Sequence, residues 1–217
     1  MPAIIAFVGH SNVGKTTLIE KLIVELKSRG YRVATMKHAG RENSLDEPGK
    51  DSWRHIQAGS EATILSAQDR VMLIKPVAPD TSMEEVARLF GEDPDIILAD
   101  GFKGSNVPKI EVHRKEIGPP LTDIKKLIAI ATDEPLDTRT RQFALEDVEG
   151  IADFIEKGFI KPQGDRMALY INDKPVTLTK FPKEIITNTL TAMAVSLKGA
   201  GKINSLTLLL RKRSRRK

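Results

Sequence analysis

The stretch Gly9-His10-Ser11-Asn12-Val13-Gly14-Lys15-Thr16-Thr17 decides how this chain folds. It contains a complete G-x-x-x-x-G-K-[ST] phosphate loop. In this motif the glycines let backbone N–H groups surround the phosphates, the lysine places a positive charge at the terminal phosphates, and the Thr16 hydroxyl can ligate Mg²⁺. We therefore predict that all nine residues bind the phosphates of a nucleotide and that Lys15 is also catalytic.

The residues on either side of this loop support the interpretation. Residues 4–8 form a continuous apolar run, which is typical of a strand buried on both faces. Directly after Thr17, apolar residues recur at helical spacing at Ile19, Leu22, Ile23 and Leu26. The order strand, loop, helix predicts a P-loop NTPase fold, because the positive end of the helix dipole then faces the bound anion.

Strand and helix patterns alternate along the chain up to about residue 160. Strands are predicted at 31–36, 62–67, 71–74, 95–100, 109–113 and 127–131, and helices at about 52–58, 82–90 and 145–159. Such alternation is typical of a mostly parallel sheet flanked by helices, with ligands bound at the carboxyl ends of the strands. Residues 1–160 are therefore predicted to form one α/β nucleotide-binding domain.

The pattern changes after a linker at residues 161–165. A hairpin at 168–178, a helix containing Ile186 to Leu197 and a strand at 203–210 predict a small β-β-α-β module over residues 165–210. The tail 211–217 contains six of the 34 basic residues, and the remaining chain is close to neutral with 28 basic and 29 acidic residues. We expect this tail to be solvated, with RNA or an acidic protein as alternative contacts, and a nucleic-acid partner for the protein is not indicated.

Composition excludes several classes of chemistry. The chain has 217 residues and no cysteine, which excludes disulfides, thiolate metal sites and cysteine nucleophiles. No run approaches the 18 or more apolar residues of a membrane span, and Met1 is followed almost at once by the first strand instead of a signal peptide. We expect a cytoplasmic protein without a membrane partner.

Two acidic residues are candidates for holding the metal ion of a bound nucleotide. Asp100 ends the apolar run 95–100, where a P-loop protein needs a carboxylate for Mg²⁺, and we predict a catalytic and metal-binding role for it. Asp51 lies in a polar segment at 39–52 of the kind that phosphate and magnesium contacts order, and we predict it as a further metal ligand. The alternatives are a strand-end cap for Asp100 and a solvated loop for Asp51.

Two further positions are candidates for binding the nucleotide. Lys37 ends the second predicted strand beside the phosphate site, and His38 after it is equally compatible with a structural role. Asp133 follows the strand at 127–131, and its carboxylate could accept hydrogen bonds from the N1 and 2-amino donors of guanine, which adenine lacks. This favours GTP over ATP, although Asp133 could also be a loop residue before Pro135.

Four segments together resemble the MobB family, the molybdopterin-guanine dinucleotide biosynthesis adapter proteins. They are the phosphate loop, Lys37-His38, the segment Asp46-Glu47-Pro48-Gly49-Lys50-Asp51-Ser52 with Arg54, and Asp100-Gly101-Phe102-Lys103. The resemblance covers residues 3 to about 157 and depends most on the Pro-Gly-Lys-Asp-Ser element. The chain departs from the family pattern at Ala39-Gly40-Arg41, where further histidines are common, and at Asp100, where Glu is common.

The resemblance implies a homodimeric protein that binds GTP and Mg²⁺ and hydrolyses GTP weakly. It would assist the molybdopterin guanylyltransferase that joins GMP to molybdopterin, alongside other enzymes of molybdenum-cofactor biosynthesis, and molybdopterin itself is a further implied ligand. Slow turnover also agrees with the residues, because no arginine finger or water-positioning glutamine is evident near the loop.

One competing interpretation is a small-molecule kinase built on the same phosphate loop. In that case Asp51 or Asp100 would accept the proton of a substrate hydroxyl. An arginine-rich lid segment, which such a kinase would need, is not evident between the later predicted strands. A second alternative makes the terminal module and tail a nucleic-acid contact that is switched by the nucleotide.

Overall fold

The computed structural model describes residues 2–39, 46–161, 167–172, 174–198, 201–203 and 205–210. The chain divides into two compact units, Met1–Gly164 and Asp165–Lys217.

The first unit is built on a parallel sheet of six strands. These are β1 (Ala3–Val8), β2 (Val33–Lys37), β5 (Ile96–Asp100), β6 (Lys109–His113), β7 (Leu127–Thr132) and β8 (Arg141–Ala144). Their order across the sheet is β2-β5-β1-β6-β7-β8, and every neighbouring pair is parallel. The predicted α/β fold with a mostly parallel sheet is therefore confirmed, and β1, which leads into the phosphate loop, lies in the interior of the sheet.

Helices cover the sheet on both faces. They are α1 (Lys15–Ser28), α2 (Asp51–Gln57), α3 (Met83–Ala87) with a 3₁₀ turn at Arg88–Phe90, and α4 (Val148–Ile155) with a π-helical turn at Glu156–Ile160. The buried side chains of α1 and α4 pack in one cluster with the strand residues Ile5, Phe7, Leu98, Ile110 and Val112. A smaller cluster joins Met83 and Ala87 of α3 to alternate residues on the other face, Ile4, Ala6, Ile97 and Ala99. This alternation follows from the period of two along each strand.

Two predicted strands form a separate hairpin. β3 (Thr63–Ser66) and β4 (Val71–Ile74) pair antiparallel as a two-stranded sheet that is not hydrogen-bonded to the main one. The apolar side chains of this hairpin remain exposed, from Leu65 and Leu73 at 43% to Val71 at 72%. These side chains belong to neither buried cluster, so the packing of the core does not explain why they are apolar.

The second unit contains a short antiparallel pair and one helix. β9 (Tyr170–Ile171) pairs with β10 (Lys174–Pro175), and α5 spans Lys180–Val195. The prediction of a strand at 203–210 was wrong. Ile203 and residues 205–210 have no regular structure, because within the described part of the chain they pair with no other strand. The predicted basic tail 211–217 lies outside the described residues. No helix among the described residues is both long and apolar enough to span a membrane.

Candidate functional site

The phosphate loop is a sharp turn between β1 and α1 that depends on left-handed backbone. Gly9, Asn12 and Gly14 have positive φ angles of 152°, 63° and 97°. A side chain at position 9 would place its Cβ 2.3 Å from the carbonyl oxygen of Val112 on β6. Glycine is therefore required at position 9 by both conformation and space, and the loop is held directly against the neighbouring strand.

Lys15 begins α1 and its side chain folds back over the loop. Its Nζ donates to the carbonyl oxygens of Gly9 at 3.0 Å and His10 at 2.6 Å. The ammonium is thereby fixed above the turn, at the N-terminal end of the helix, where backbone N–H groups and the helix dipole also favour an anion. The loop consequently concentrates positive charge at one point.

Thr16 and Asp100 lie in contact although they are far apart in sequence. The Thr16 Oγ1 donates to Asp100 Oδ2 at 3.0 Å. Asp100 is the last residue of β5, and the parallel register with β1 sets it opposite Phe7, two residues before the loop. A hydroxyl and a carboxylate side by side are oxygen ligands that suit Mg²⁺ once a phosphate supplies the others. The structure thus brings together two of the three predicted metal-binding groups.

Lys37 is the last residue of β2, which pairs with β5 on the side away from β1, and His38 follows it. Lys37 is opposite Asp100 in the parallel register, and the His38 N–H donates to the Asp100 carbonyl oxygen at 3.0 Å. The His38 ring packs against Phe102, with ring centroids 5.1 Å apart. Lys37 therefore lies at the carboxyl ends of the strands, where it was predicted, and its side chain is exposed.

Asp51 is in a different setting from Asp100. It begins α2, its side chain is 89% exposed, and it faces Arg54 Nη1 at 3.7 Å. The buried neighbour Ser52 donates from Oγ to Asp46 Oδ1 at 2.9 Å, which fixes the Pro48-Gly49-Lys50 turn between them. Magnesium ligation by Asp51 remains a prediction. Among the described residues no three His, Asp or Glu side chains form a metal-binding group by themselves.

Asp133 is joined to the phosphate loop through Arg114. Asp133 Oδ1 accepts from the Lys115 N–H at 2.9 Å, and its Oδ2 lies 3.9 Å from Arg114 Nη1. The same guanidinium donates from Nε to the carbonyl oxygen of Val13 at 3.1 Å. Arg114 was not predicted from the sequence, since its position directly after the buried end of β6 carries no motif. It links the predicted base-binding residue to the loop.

A narrow crevice of about 20 Å³ opens beside the loop and along the first turns of α1. Across it Lys21 Nζ lies 2.6 Å from Glu146 Oε2, and this contact lowers the pKa of Glu146. The crevice is lined by Val13, Gly14, Thr17, Leu18, Lys21, Arg114, Leu145 and Glu146. A larger cleft of about 350 Å³ lies on α4 and β8, and its lining contains none of the predicted site residues.

Beside the loop, β6 carries a buried polar row that the sequence analysis missed. Lys109, Glu111 and His113 alternate along this strand and are at most 2% exposed. Glu111 Oε1 accepts from the Leu121 N–H at 2.6 Å, and His113 Nε2 lies 3.1 Å from Glu134 Oε1. The period-two spacing of three polar residues within an apolar strand was the available signal. These contacts fix the 114–126 connection, which also accepts a hydrogen bond from His10 Nε2 through the Pro119 carbonyl at 3.0 Å.

Comparison with known proteins places this geometry in a family. The family model described as "MobB: Molybdopterin guanine dinucleotide synthesis protein B" matches residues 4–133. The chain is 38% identical over 155 residues to the molybdopterin-guanine dinucleotide biosynthesis adapter protein of Haemophilus influenzae, covering 70% of this chain and 87% of that protein. For the Escherichia coli protein of the same name the identity is 34% over 170 residues, covering 76% and 97%.

Solved structures agree with these sequence matches. A crystal structure of molybdopterin-guanine biosynthesis protein B superposes with a TM-score of 0.56 at 26% identity, covering 71% of this chain and 97% of that one. A MobB homologue from Bacillus stearothermophilus, at 24% identity and a TM-score of 0.54, shares the fold over 71% of this chain and 95% of its own. The phosphate loop, the parallel sheet and these matches together show that the chain belongs to the MobB family.

Proposed function

We propose that this protein is a GTP-binding adapter in molybdopterin-guanine dinucleotide biosynthesis. In this role it would assist a molybdopterin guanylyltransferase in attaching GMP to molybdopterin, and it would also interact with other enzymes that handle the cofactor. The adapter role is taken from the names of the two relatives that share most of their length with this chain. Molybdopterin is proposed as a second ligand on the same grounds.

The observation that carries the proposal is the contact between Thr16 Oγ1 and Asp100 Oδ2. It joins the hydroxyl of the phosphate loop to a strand-end carboxylate, beneath an ammonium that is already fixed over the loop by two carbonyls. This arrangement suits a Mg²⁺ ion bridging the terminal phosphates of a nucleotide.

Guanine recognition is proposed for Asp133. A carboxylate has about four lone-pair sites, and the contacts with Lys115 and Arg114 leave room for two more donors. The N1 and 2-amino groups of guanine are such donors, whereas adenine presents an acceptor at N1. GTP is accordingly preferred to ATP in this proposal.

We propose that the protein hydrolyses GTP only weakly, because the Arg114 guanidinium is already hydrogen-bonded to the backbone of the loop. Its guanidinium contacts the Val13 carbonyl and Asp133, so it holds the loop and is not aimed at the terminal phosphate. An arginine that stabilises the transition state is worth about 10³ to 10⁵ in rate. Without one we expect a turnover well below about 1 per second.

Calorimetric titration tests the proposal. GTP, ATP and molybdopterin are titrated separately with Mg²⁺ into the wild type, Lys15→Ala and Lys27→Ala, the last being an exposed lysine at the far end of the same helix. Lys15→Ala should weaken GTP binding by about 10- to 100-fold, since bonds to charged groups contribute about 1.5–3 kcal/mol. Lys27→Ala should bind as the wild type does.

Three outcomes would contradict parts of the proposal. Equal affinities for GTP and ATP would remove the role given to Asp133. A turnover of about 1 to 100 per second with a phosphorylated acceptor would favour the kinase alternative. A wild type that bound neither nucleotide would overturn nucleotide binding altogether.

A homodimer is proposed through the β3–β4 hairpin. Its apolar side chains are exposed on a two-stranded sheet, which is marginally stable alone in water. Exposed contiguous apolar surface of this kind marks an interaction site. The residues concerned are Ile64, Leu65, Val71, Met72 and Leu73.

Light scattering of size-separated protein tests the dimer. Val71→Asp with Leu73→Asp should shift the molar mass from dimer to monomer, because these side chains share one face of the hairpin and both charges would have to be buried at the interface. The matched control, Val24→Asp, changes an equally exposed valine on α1 (71% against 72% for Val71). A wild type that is monomeric at micromolar concentration, or a double variant that remains dimeric, would rule out this interface.

A further inference from the structure

Arg114 and Asp133 lie side by side at the carboxyl ends of two neighbouring strands. Arg114 directly follows β6, and Asp133 directly follows β7. The last residues of these strands, His113 and Thr132, are paired in the parallel register. Arg114 Nη1 lies 3.9 Å from Asp133 Oδ2, and the two side chains are 35% and 34% exposed. A molecule bound at this edge of the sheet can therefore contact both groups.

Within the residues that the structure describes, the guanidinium of Arg114 is hydrogen-bonded through one donor. Its Nε–H donates to the Val13 carbonyl oxygen at 3.1 Å, which holds the planar group against the phosphate loop. The 3.9 Å between Nη1 and Asp133 Oδ2 is too long for a hydrogen bond. Arginine carries five N–H donors, so the two terminal nitrogens of Arg114 are open to a further acceptor.

The carboxylate of Asp133 is also held in place. Its Oδ1 accepts a hydrogen bond from the Lys115 N–H at 2.9 Å, and its Oδ2 faces Arg114. An ionised carboxylate only accepts hydrogen bonds, and a guanidinium only donates them. The pair therefore presents acceptors and donors next to each other. A ligand that matches this pair must carry donors beside an acceptor along one edge.

Guanine carries such an edge, and adenine carries the reverse. Along one side of guanine the 2-amino group and N1–H are donors, and the neighbouring O6 is an acceptor. When the two donors face Asp133, O6 is within reach of a donor that lies beside the carboxylate. In the same position adenine would place its N1 acceptor against the carboxylate and its 6-amino donor against the guanidinium. Both charged groups would then lose their partners, which is how a site rejects a wrong ligand.

We infer that Arg114 determines base specificity together with Asp133, by donating a hydrogen bond from a terminal nitrogen to O6 of guanine. This role rests on the GTP binding proposed for the protein, and Arg114 would read an acceptor where Asp133 reads donors. Because the same side chain bonds to Val13, it joins the base-reading pair to the phosphate loop. A guanidinium that bonded to a phosphate instead would strengthen the binding of every nucleotide alike.

Competition binding with base analogues tests this role. A GTP with a fluorescent label on its ribose is displaced from the full-length protein, in the presence of Mg²⁺, by GTP, ITP or 6-thio-GTP. ITP lacks only the 2-amino group, which is assigned to Asp133. In 6-thio-GTP a sulfur, which is a weak acceptor, replaces the O6 assigned to Arg114. The two analogues therefore report on the two residues separately.

Three variants are compared with the wild type. Arg114→Met removes the donors and keeps a long side chain. Arg114→Lys keeps the charge, but a compact ammonium cannot reach Val13 and O6 at once. Arg32→Met is the matched control, because Arg32 also lies beside an aspartate, with Nη2 3.4 Å from Asp95 Oδ1, before the amino ends of β2 and β5.

We expect the wild type and Arg32→Met to bind GTP about tenfold more tightly than 6-thio-GTP and than ITP. Arg114→Met should lose the preference over 6-thio-GTP to within about twofold and keep the preference over ITP. Arg114→Lys should bind GTP more tightly than Arg114→Met does and still show a reduced preference over 6-thio-GTP. The ratio of affinities separates base reading from a general loosening of the loop, which would weaken all three nucleotides equally.

Several results would overturn the role of Arg114. They are equal wild-type affinities for GTP and 6-thio-GTP, an unchanged ratio of these affinities in both Arg114 variants, and loss of the ratio in Arg32→Met. If the wild type prefers GTP to ATP and ITP but not to 6-thio-GTP, only this role fails and the proposed GTP binding stands. A wild type that bound none of the nucleotides would overturn both.

Discussion

At the scale of single residues, Lys109 shows how a buried charge holds two loops together. It is fully buried on β6, and its Nζ donates to the carbonyl oxygens of Ser105, Val107 and Lys125 at 2.6, 3.0 and 3.1 Å. Burial lowers the pKa of this ammonium. Three acceptors use all three of its donors, which is how a buried cation is tolerated.

Replacing Lys109 by methionine tests this contact. Methionine fills a similar volume but leaves three buried carbonyls without their donor, so we expect the free energy of unfolding to fall by about 1–3 kcal/mol. Lys126→Met is the control, because its exposed ammonium donates only to Asn106 in the contacts described here, at 2.8 Å. It should cost less than about 0.5 kcal/mol. Equal losses in urea denaturation of the two variants would contradict the assignment.

The individual site residues differ in how far sequence could place them. The glycines and Lys15 were predictable because the motif itself requires their conformation and charge. The contact between Thr16 and Asp100 could only be anticipated from the rule that ligands gather at the carboxyl ends of parallel strands. Arg114 was not predictable, since its contact with Val13 depends on β6 lying beside β1, and no local pattern encodes that neighbour.

At the scale of elements, α1 and α4 are joined by an ionic network outside their apolar contact. Arg29 at the end of α1 contacts Asp153 and Glu156 through Nη1 at 2.7 Å each, and Glu25 through Nε at 2.7 Å. Hydrogen bonds from Lys161, Arg29 and Tyr31 to the carboxylate of Glu156 lower its pKa from 4.5 to about 2. The bond from Lys161 has the largest effect on this pKa, followed by those from Arg29 and Tyr31. The carboxylate of Glu156 therefore favours the folded state only while it is ionised.

This network predicts an acid dependence of stability. Because the pKa of Glu156 is lower in the folded state, its contribution is complete above pH 4.5 and is lost as the pH falls towards about 2. Glu156→Gln should lose stability at neutral pH and show a shallower decline across this window. Glu20→Gln, an exposed carboxylate on α1, should follow the wild type. Urea midpoints measured from about pH 6 to about pH 2.5 check this, and parallel profiles for all three proteins would contradict it.

Element prediction succeeded where the pattern was local and failed where tertiary neighbours decide. The helix predicted at 82–90 starts with a capping box, in which the Ser82 hydroxyl and the Glu85 carboxylate each accept a hydrogen bond from the other residue's backbone N–H. β8 was missed, because Arg141-Gln142-Phe143-Ala144 has one buried side chain and becomes a strand by pairing with β7. α4 starts at Val148 and not at the predicted residue 145, because Asp147 caps it locally by accepting a hydrogen bond from the Gly150 N–H at 2.9 Å.

At the scale of the whole molecule, the described core belongs to the first unit. Both buried clusters draw their residues from positions 4 to 160. The second unit adds exposed apolar surface and positive charge, and it adds no residue to either cluster. The residues of the candidate nucleotide site likewise belong to the first unit.

A chain ending at Lys161 should therefore fold and bind nucleotide. We expect its melting temperature to lie within about 4 °C of the full-length protein and its GTP affinity to be unchanged within about twofold. Calorimetry and titration of both proteins make the comparison. Aggregation of the shortened chain on expression, or loss of its GTP binding, would show that the second unit supports the first.

The position of β1 inside the sheet sets the order in which the sheet can assemble during synthesis. Ala3 pairs with Ile96 and Ala6 with Lys109, so the strand that leads into the phosphate loop has no partner until roughly the first half of the chain has left the ribosome. Pairings between strands this distant in sequence form slowly, because closing the long loop between them costs entropy before any stabilising contact is made. Until residues 96–111 are available, β1 can make none of the strand pairings of the folded protein, and its apolar side chains stay exposed.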